Sequence, residues 1–324
     1  MKKPLRLAIV GDGPTAAAHT NAFKAIGHNV LHCSAGMNSK TLSRFAKKHD
    51  IKNTWANSQK LISSYDEWDG IIIAASISAL PSLLDEAMKS EKPILIEKPV
   101  STKSDYLKQF QYNTPKNIMV GYNRRFYSTI IAAKTFLSSK SEGSFCFMEL
   151  PETIDFNQRQ EKTYLPIYNN SCHGIDILHF LLGELKVKHV ETIRKNGLDL
   201  GRYIIIEAGK NKCFLSLNWN SPSNFSLNVE HSEERISLRP FENYEYFKGM
   251  QVEEPSTNFP MRKYSPISKT SFNVFETTYS GIKPGFLEQA QEFISLIEGN
   301  FYMNGASLAD AFYAQYVLED ILNR

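Results

Sequence analysis

The sequence predicts an α/β chain that opens with a doubly wound parallel sheet and continues into an α+β domain with a mainly antiparallel open sheet. Three observations support this. Short apolar runs alternate with helical patterns through the first 121 residues, a glycine turn joins the first run to the first helix, and the alternation stops after Gly121.

In chain order, Leu5–Val10 reads as a buried strand and Thr15–Ile26 as a helix rich in alanine. Asn29–Cys33 is a second strand, followed by a helix around Lys40–His49. Gly70–Ala75, Pro93–Ile96 and Asn117–Val120 are further strands, with a helix at Leu80–Lys89 after the first of them. Beyond Gly121 a helix at Tyr127–Leu137 precedes strand-like runs at Ser144–Leu150, Val187–Ile193, Tyr203–Glu207, Cys213–Trp219 and Phe225–Glu230. One helix, Cys172–Leu182, lies among them. The proline-dotted stretch 240–284 reads as a long loop with one or two edge strands. Helices at Gly285–Ile297 and Ser307–Leu322 end the chain. The expected division is into two domains, 1–121 and 122–324.

Composition narrows the partners. Lys plus Arg is 37 against 34 for Asp plus Glu, a formal charge of +3, too small an excess for nucleic acid or an acidic membrane to be the main partner. The four cysteines, Cys33, Cys146, Cys172 and Cys213, are scattered, so reduced and buried thiols are expected rather than a metal site or disulfide framework. After Met1-Lys2-Lys3 the apolar run is short and broken by Gly11-Asp12-Gly13, unlike a secretory leader, and no run approaches the ~20 residues of a membrane span. A cytoplasmic protein is expected.

Gly11-Asp12-Gly13-Pro14-Thr15-Ala16 fits G-x-G-x-x-G/A between a strand and a helix. The first glycine permits the tight turn, the second lets backbone approach a pyrophosphate, and the small sixth residue lets helix and sheet pack closely. This is the fingerprint of a Rossmann domain binding a nicotinamide dinucleotide. NAD recognition usually places Asp or Glu at the end of the second strand, but Cys33-Ser34-Ala35 holds no carboxylate. Ser34, Asn38, Ser39, Lys40 and Arg44 offer hydrogen bonds and charge to a 2′-phosphate, which tilts the expectation from NAD towards NADP; a solvated basic helix start is the other reading.

Three more segments carry chemistry: Glu97-Lys98-Pro99 after the fourth strand, Gly121-Tyr122-Asn123-Arg124-Arg125-Phe126 after the fifth, and the helix of His173 and Asp176. Together with His19, the closing Phe286-Leu287-Glu288-Gln289 helix and Ala306–Ala311, their order resembles the glucose-fructose oxidoreductase, inositol dehydrogenase and rhizopine-catabolism (Gfo/Idh/MocA) family nearly end to end. The resemblance implies NAD(P)-dependent hydride transfer at a secondary alcohol or ketone of a sugar, cyclitol or sugar nucleotide. It places Lys98 beside nicotinamide and substrate, where an ammonium stabilises a developing alkoxide. His173 is the natural general acid or base, because imidazole titrates near neutrality.

Around these two, Glu97, Ala75 and Ser76 are expected near the cofactor, and Asn123, Arg124, Tyr164, Asn169 and Asp176 near the substrate. Arg124-Arg125 either meets an anionic substrate or forms salt bridges, and Tyr164 and Tyr168 either stack on a sugar ring or pack. Two departures from the family pattern stand out. Asn169 stands where many members have Asp four residues before the histidine, and Ala75-Ser76-Ile77-Ser78 replaces the family's T-P-N segment. They keep two alternatives open: a dinucleotide-binding sensor without turnover, and a lyase or hydrolase that uses NAD transiently. A homodimer or homotetramer is expected, since the open second sheet leaves a face for another subunit.

Overall fold

The computed structural model describes residues 4–157, 164–278 and 281–324. The chain divides into two compact units, residues 1–126 with 278–319, and residues 127–277 with 320–324. The expected single cut after Gly121 is therefore replaced by a first unit to which the chain returns late.

The first unit is built on a six-stranded, all-parallel sheet of β1 (Leu7–Val10), β2 (Val30–Ser34), β3 (Asn53–Trp55), β4 (Gly70–Ile73), β5 (Ile94–Ile96) and β6 (Ile118–Val120), in the order β3-β2-β1-β4-β5-β6. Strands β1, β4, β5 and β6 are buried throughout, as befits a parallel sheet covered on both faces. The order reverses between β1 and β4, so a crevice opens at their carboxyl ends, where open α/β sheets bind ligands. Helix Pro14–Ala25 starts with proline in its first turn, where the missing N–H costs nothing, and buries Ala16, His19, Ala22 and Phe23. Helix Phe286–Ile297 packs beside it: the rings of His19 and Phe286 are 4.8 Å apart, and Phe23 meets Phe293 edge-on at 5.9 Å.

The second unit carries an eight-stranded sheet of β7 (Phe145–Glu152), β8 (Lys186–Lys195), β9 (Leu198–Ala208), β10 (Asn211–Trp219), β11 (Ser226–His231), β12 (Glu234–Leu238), β13 (Asn243–Glu253) and β14 (Lys263–Asn273). Its order is β14-β13-β12-β11-β7-β10-β9-β8, antiparallel except where β7 runs parallel to β10. Helix Cys172–Leu182 lies close against β7 because Gly174 has no side chain: a Cβ there would meet Leu150 at 2.4 Å. All four cysteines are buried thiols.

Most expected elements form within a residue or two of their sequence limits. Strand β3 was not expected, because three residues of Asn-Thr-Trp show no period. The 240–284 stretch is the larger correction. The one or two edge strands expected there are β13 and β14, but they are paired strands of 11 residues each that take up much of the stretch expected as loop, and a short helix follows at Val274–Thr277. Their side chains are largely exposed, so no apolar alternation marks them. No helix among the described residues is long and apolar enough to cross a membrane.

Candidate functional site

At the reversal between β1 and β4 lies a cleft of about 650 Å³ lined by the glycine turn, the loop after β2, Asn57–Gln59 and Ala74–Ser76. Its two glycines do different work. Gly11 has φ +125°, and a Cβ there would sit 2.1 Å from the Ala74 carbonyl oxygen, so β1 and β4 can approach only over glycine. A Cβ at Gly13 would meet nothing within 4 Å. The space above Gly13 is thus the cleft itself, and the helix it begins has no side-chain cap. That is the form a backbone cradle for a diphosphate requires. The residues fit a dinucleotide: Met37, Ala79 and Leu83 supply apolar walls, and Asp12, Ser58 and Ser76 supply polar groups.

Of the residues expected at the cofactor, Gly11, Gly13, Pro14, Thr15, Ala75 and Ser76 line this cleft. Ala16 is buried behind it. Asn38 and Lys40 are exposed and are not among its lining residues. Ser34 is buried and bonds the Ser58 hydroxyl at 3.2 Å, while Ser39 donates to the Asp12 carboxylate. Asp12, Met37, Asn57, Ser58 and Gln59 were missed by sequence reasoning. Only Asp12 stood within a recognised motif.

Glu97 and Lys98 follow β5 at the same carboxyl edge. Glu97 is buried and meets His19 Nε2 at 2.7 Å, and its other oxygen accepts from the Lys98 backbone N–H at 3.2 Å. A Cβ at Gly121 would lie 2.8 Å from Glu97 Oε1, so the glycine after β6 makes room for this carboxylate. Glu97 is thereby a brace that fixes the chain at Lys98. Nearby, the Asn123 amide donates to the Pro284 carbonyl at 3.0 Å, and Arg125 is buried and paired with Asp310 at 3.3 Å. Of the two arginines, then, Arg125 forms a salt bridge. Lys283 was also missed. Crowding by protein atoms pulls its pKa below the usual lysine value; Glu97 opposes the shift, and Lys98 and Arg124 reinforce it.

In the second unit, a single π-helical turn at Ile167–Ser171 runs into helix Cys172–Leu182. Such turns favour functional sites because they re-aim neighbouring side chains, and nothing in the residue pattern foretold this one. His173 and Asp176 are both buried, and Asn169 is exposed on the π turn. The buried Glu152 at the end of β7 accepts from Ser171 Oγ at 2.6 Å, anchoring the entry to this helix. The Tyr164 hydroxyl donates to Asp199 at 3.0 Å, and Trp219 Nε1 donates to the same carboxylate at 2.9 Å. Burial and the bond to Asp199 raise the Tyr164 pKa.

The comparisons with known proteins agree with this architecture. A family model described as "Oxidoreductase family, NAD-binding Rossmann fold" (GFO_IDH_MocA) matches residues 5–117, the stretch that holds the glycine turn, the cleft and Glu97-Lys98. The match covers about a third of the chain, and over that stretch the chain is similar to the Gfo/Idh/MocA family. An inositol 2-dehydrogenase/D-chiro-inositol 3-dehydrogenase of Shouchella clausii is 23% identical over 198 residues, which cover 58% of this chain and 56% of that protein. The match thus spans little more than half of that relative. Solved structures extend the likeness in fold to the whole chain. An Agrobacterium radiobacter oxidoreductase in complex with NAD+, L-tartaric acid and magnesium superposes with a TM-score of 0.74 at 18% identity, covering 99% of this chain and 96% of that one. A levoglucosan dehydrogenase in complex with NADH gives 0.76 at 15% identity, with coverage of 99% and 96%.

Proposed function

We propose that this protein is an oxidoreductase of the Gfo/Idh/MocA family that transfers hydride between a nicotinamide dinucleotide and a secondary alcohol or ketone of a sugar, cyclitol or sugar nucleotide. The observation that carries the reading is the crevice of the first unit: one carboxyl edge holds both the open glycine turn and the braced Glu97-Lys98 segment. The substrate class rests on the resemblance to the family and on similar proteins whose names refer to inositol and to levoglucosan.

In this reading, Gly13, Pro14 and Thr15 hold the diphosphate on backbone amides and open space. The bound dinucleotide supplies the hydride acceptor or donor. Lys98 stabilises negative charge on the reacting oxygen, and His173 takes or returns its proton. Asp176 lies one turn along the same helix face as His173 and orients it or binds a neighbouring hydroxyl. The substrate contacts assigned to Asn123, Arg124, Tyr164 and Asn169 remain part of the proposal. Asn123 and Tyr164 would then serve through side chains already fixed by Pro284 and Asp199. Lys98, Arg124 and Lys283 also make the neighbourhood of Glu97 cationic, which favours substrates carrying a carboxylate or phosphate.

The test mixes the protein with NAD+ or NADP+ and a panel of sugars, cyclitols, sugar acids and sugar nucleotides, and follows absorbance of the reduced nicotinamide. On a substrate so found, Lys98→Ala and His173→Ala are each expected to lower kcat by about 100-fold or more while leaving dinucleotide affinity within a factor of a few. Wild-type turnover in either variant would remove that residue from its assigned role. Tight dinucleotide binding with no turnover on any compound would replace the enzyme by a sensor.

A further inference from the structure

We infer that Asp12, inside the glycine turn, makes this cleft selective for NAD over NADP; the inference rests on the dinucleotide reading above. Rossmann sites that choose NAD hold the adenosine ribose hydroxyls on a carboxylate at the end of the second strand. Here β2 ends at Ser34 and continues through Ala35, Gly36 and Met37, so that position carries no acid. The missing charge is supplied from the other side of the cleft. Asp12 lines the cleft together with Ala35, Gly36 and Met37, and its Oδ2 reaches across to the loop after β2. There it accepts from Ser39 Oγ and from Thr41 Oγ1, the latter at 2.6 Å.

These bonds also engage hydroxyls that would otherwise meet a 2′-phosphate. Ser39 gives its proton to Asp12, and its oxygen accepts from the N–H groups of Thr41 at 3.1 Å and Leu42 at 3.2 Å. Ser39 N–H is itself bonded to the Gly36 carbonyl at 2.8 Å. The hydroxyls and backbone amides of Ser39 and Thr41 are committed to an internal carboxylate and to the turn that holds it. A 2′-phosphate brought to the loop would have to displace Asp12 or lie beside a like charge. A ribose diol, with two O–H donors and no charge, meets an acceptor. Of the residues that tilted the expectation towards NADP, Ser34, Asn38, Ser39, Lys40 and Arg44, two are engaged within the protein, Ser34 with Ser58 and Ser39 with Asp12.

Calorimetry measures the dissociation constants of NAD+, NADP+, ADP and adenosine 2′,5′-bisphosphate for the wild-type protein and for Asp12→Asn, which keeps the shape and an acceptor oxygen but removes the charge. Wild type is expected to bind NAD+ at least about tenfold more tightly than NADP+, with ADP and the bisphosphate showing the same preference. Asp12→Asn should shrink that ratio by about tenfold, mainly through tighter binding of the 2′-phosphorylated ligands. Raising the salt concentration should shrink it in wild type, a measurement that needs no variant. Equal or tighter binding of NADP+ by wild type, or an unchanged ratio in Asp12→Asn, overturns the inference and leaves the dinucleotide reading standing. No heat from any of the four ligands at millimolar concentration overturns both.

Discussion

Two glycines with a single residue between them separate folding from binding. At Gly11 an added methyl would collide with the Ala74 backbone on an already left-handed residue, so Gly11→Ala should cost about 2–4 kcal/mol in chemical denaturation. Gly13 has φ −85° and open space above it, so Gly13→Ala should keep stability within about 0.5 kcal/mol. The same change should weaken dinucleotide binding at least about tenfold by calorimetry, because the methyl would occupy space a diphosphate needs. Equal stabilities for the two variants would refute the division of labour. The need for glycine at both places was legible from the motif; which glycine serves the fold was not, since Ala74 lies 63 positions further on (74 − 11). Asp12 was hidden for the same reason. Its partners Ser39 and Thr41 are 27 and 29 residues away and meet it only once β1 and β2 lie side by side.

Buried parallel strands announce themselves as apolar runs, and a helix with an apolar face announces itself by its period, so Cys172–Leu182 was read at its observed limits. Strands with wet faces do not: β12 shows no signal, and β13 and β14 are legible only as one or two edge strands without limits. Their cohesion includes polar contacts that no pattern displays. Glu234 on β12 accepts from the Tyr246 hydroxyl on β13 at 2.5 Å and pairs with Lys140 and Lys248. The hydrogen bonds from Lys140 and Tyr246 hold the Glu234 pKa down to about 2, although burial works against them. The same bond pushes the Tyr246 pKa up to about 12. A carboxylate depressed in the folded state contributes stability that is complete above its unfolded pKa and lost as pH falls through the folded value. The contribution of Glu234 should therefore fade between about pH 4.5 and about pH 2. Glu234→Gln should be less stable than wild type at pH 7, and the gap should narrow across that window in urea titrations. A gap independent of pH would show that the carboxylate's charge is not what holds these strands.

At the scale of the whole molecule, one face of the second sheet is unlike an ordinary solvated surface. Along β7, β9 and β10 buried residues alternate with exposed Phe145, Phe147, Tyr203, Ile205 and Phe214. Register makes this a continuous patch: Phe214 lies opposite Phe147 on one side and Ile205 on the other, and the Phe147 and Phe214 rings stack at 5.4 Å. A hollow of about 370 Å³ crosses it, edged by Glu149, His189 and Asn228. Contiguous apolar surface with a polar rim marks an interaction site, and a flat sheet face is self-complementary under two-fold rotation. The expected cover is a second copy of the chain. Sedimentation should give a dimer or a multiple of it at micromolar protein, and Phe147→Glu with Phe214→Glu should shift it to monomer by burying like charges against each other. The double variant should retain dinucleotide affinity, because every cleft residue belongs to the first unit. A wild-type chain that sediments as a monomer at those concentrations would leave these aromatics exposed and the oligomer expectation refuted.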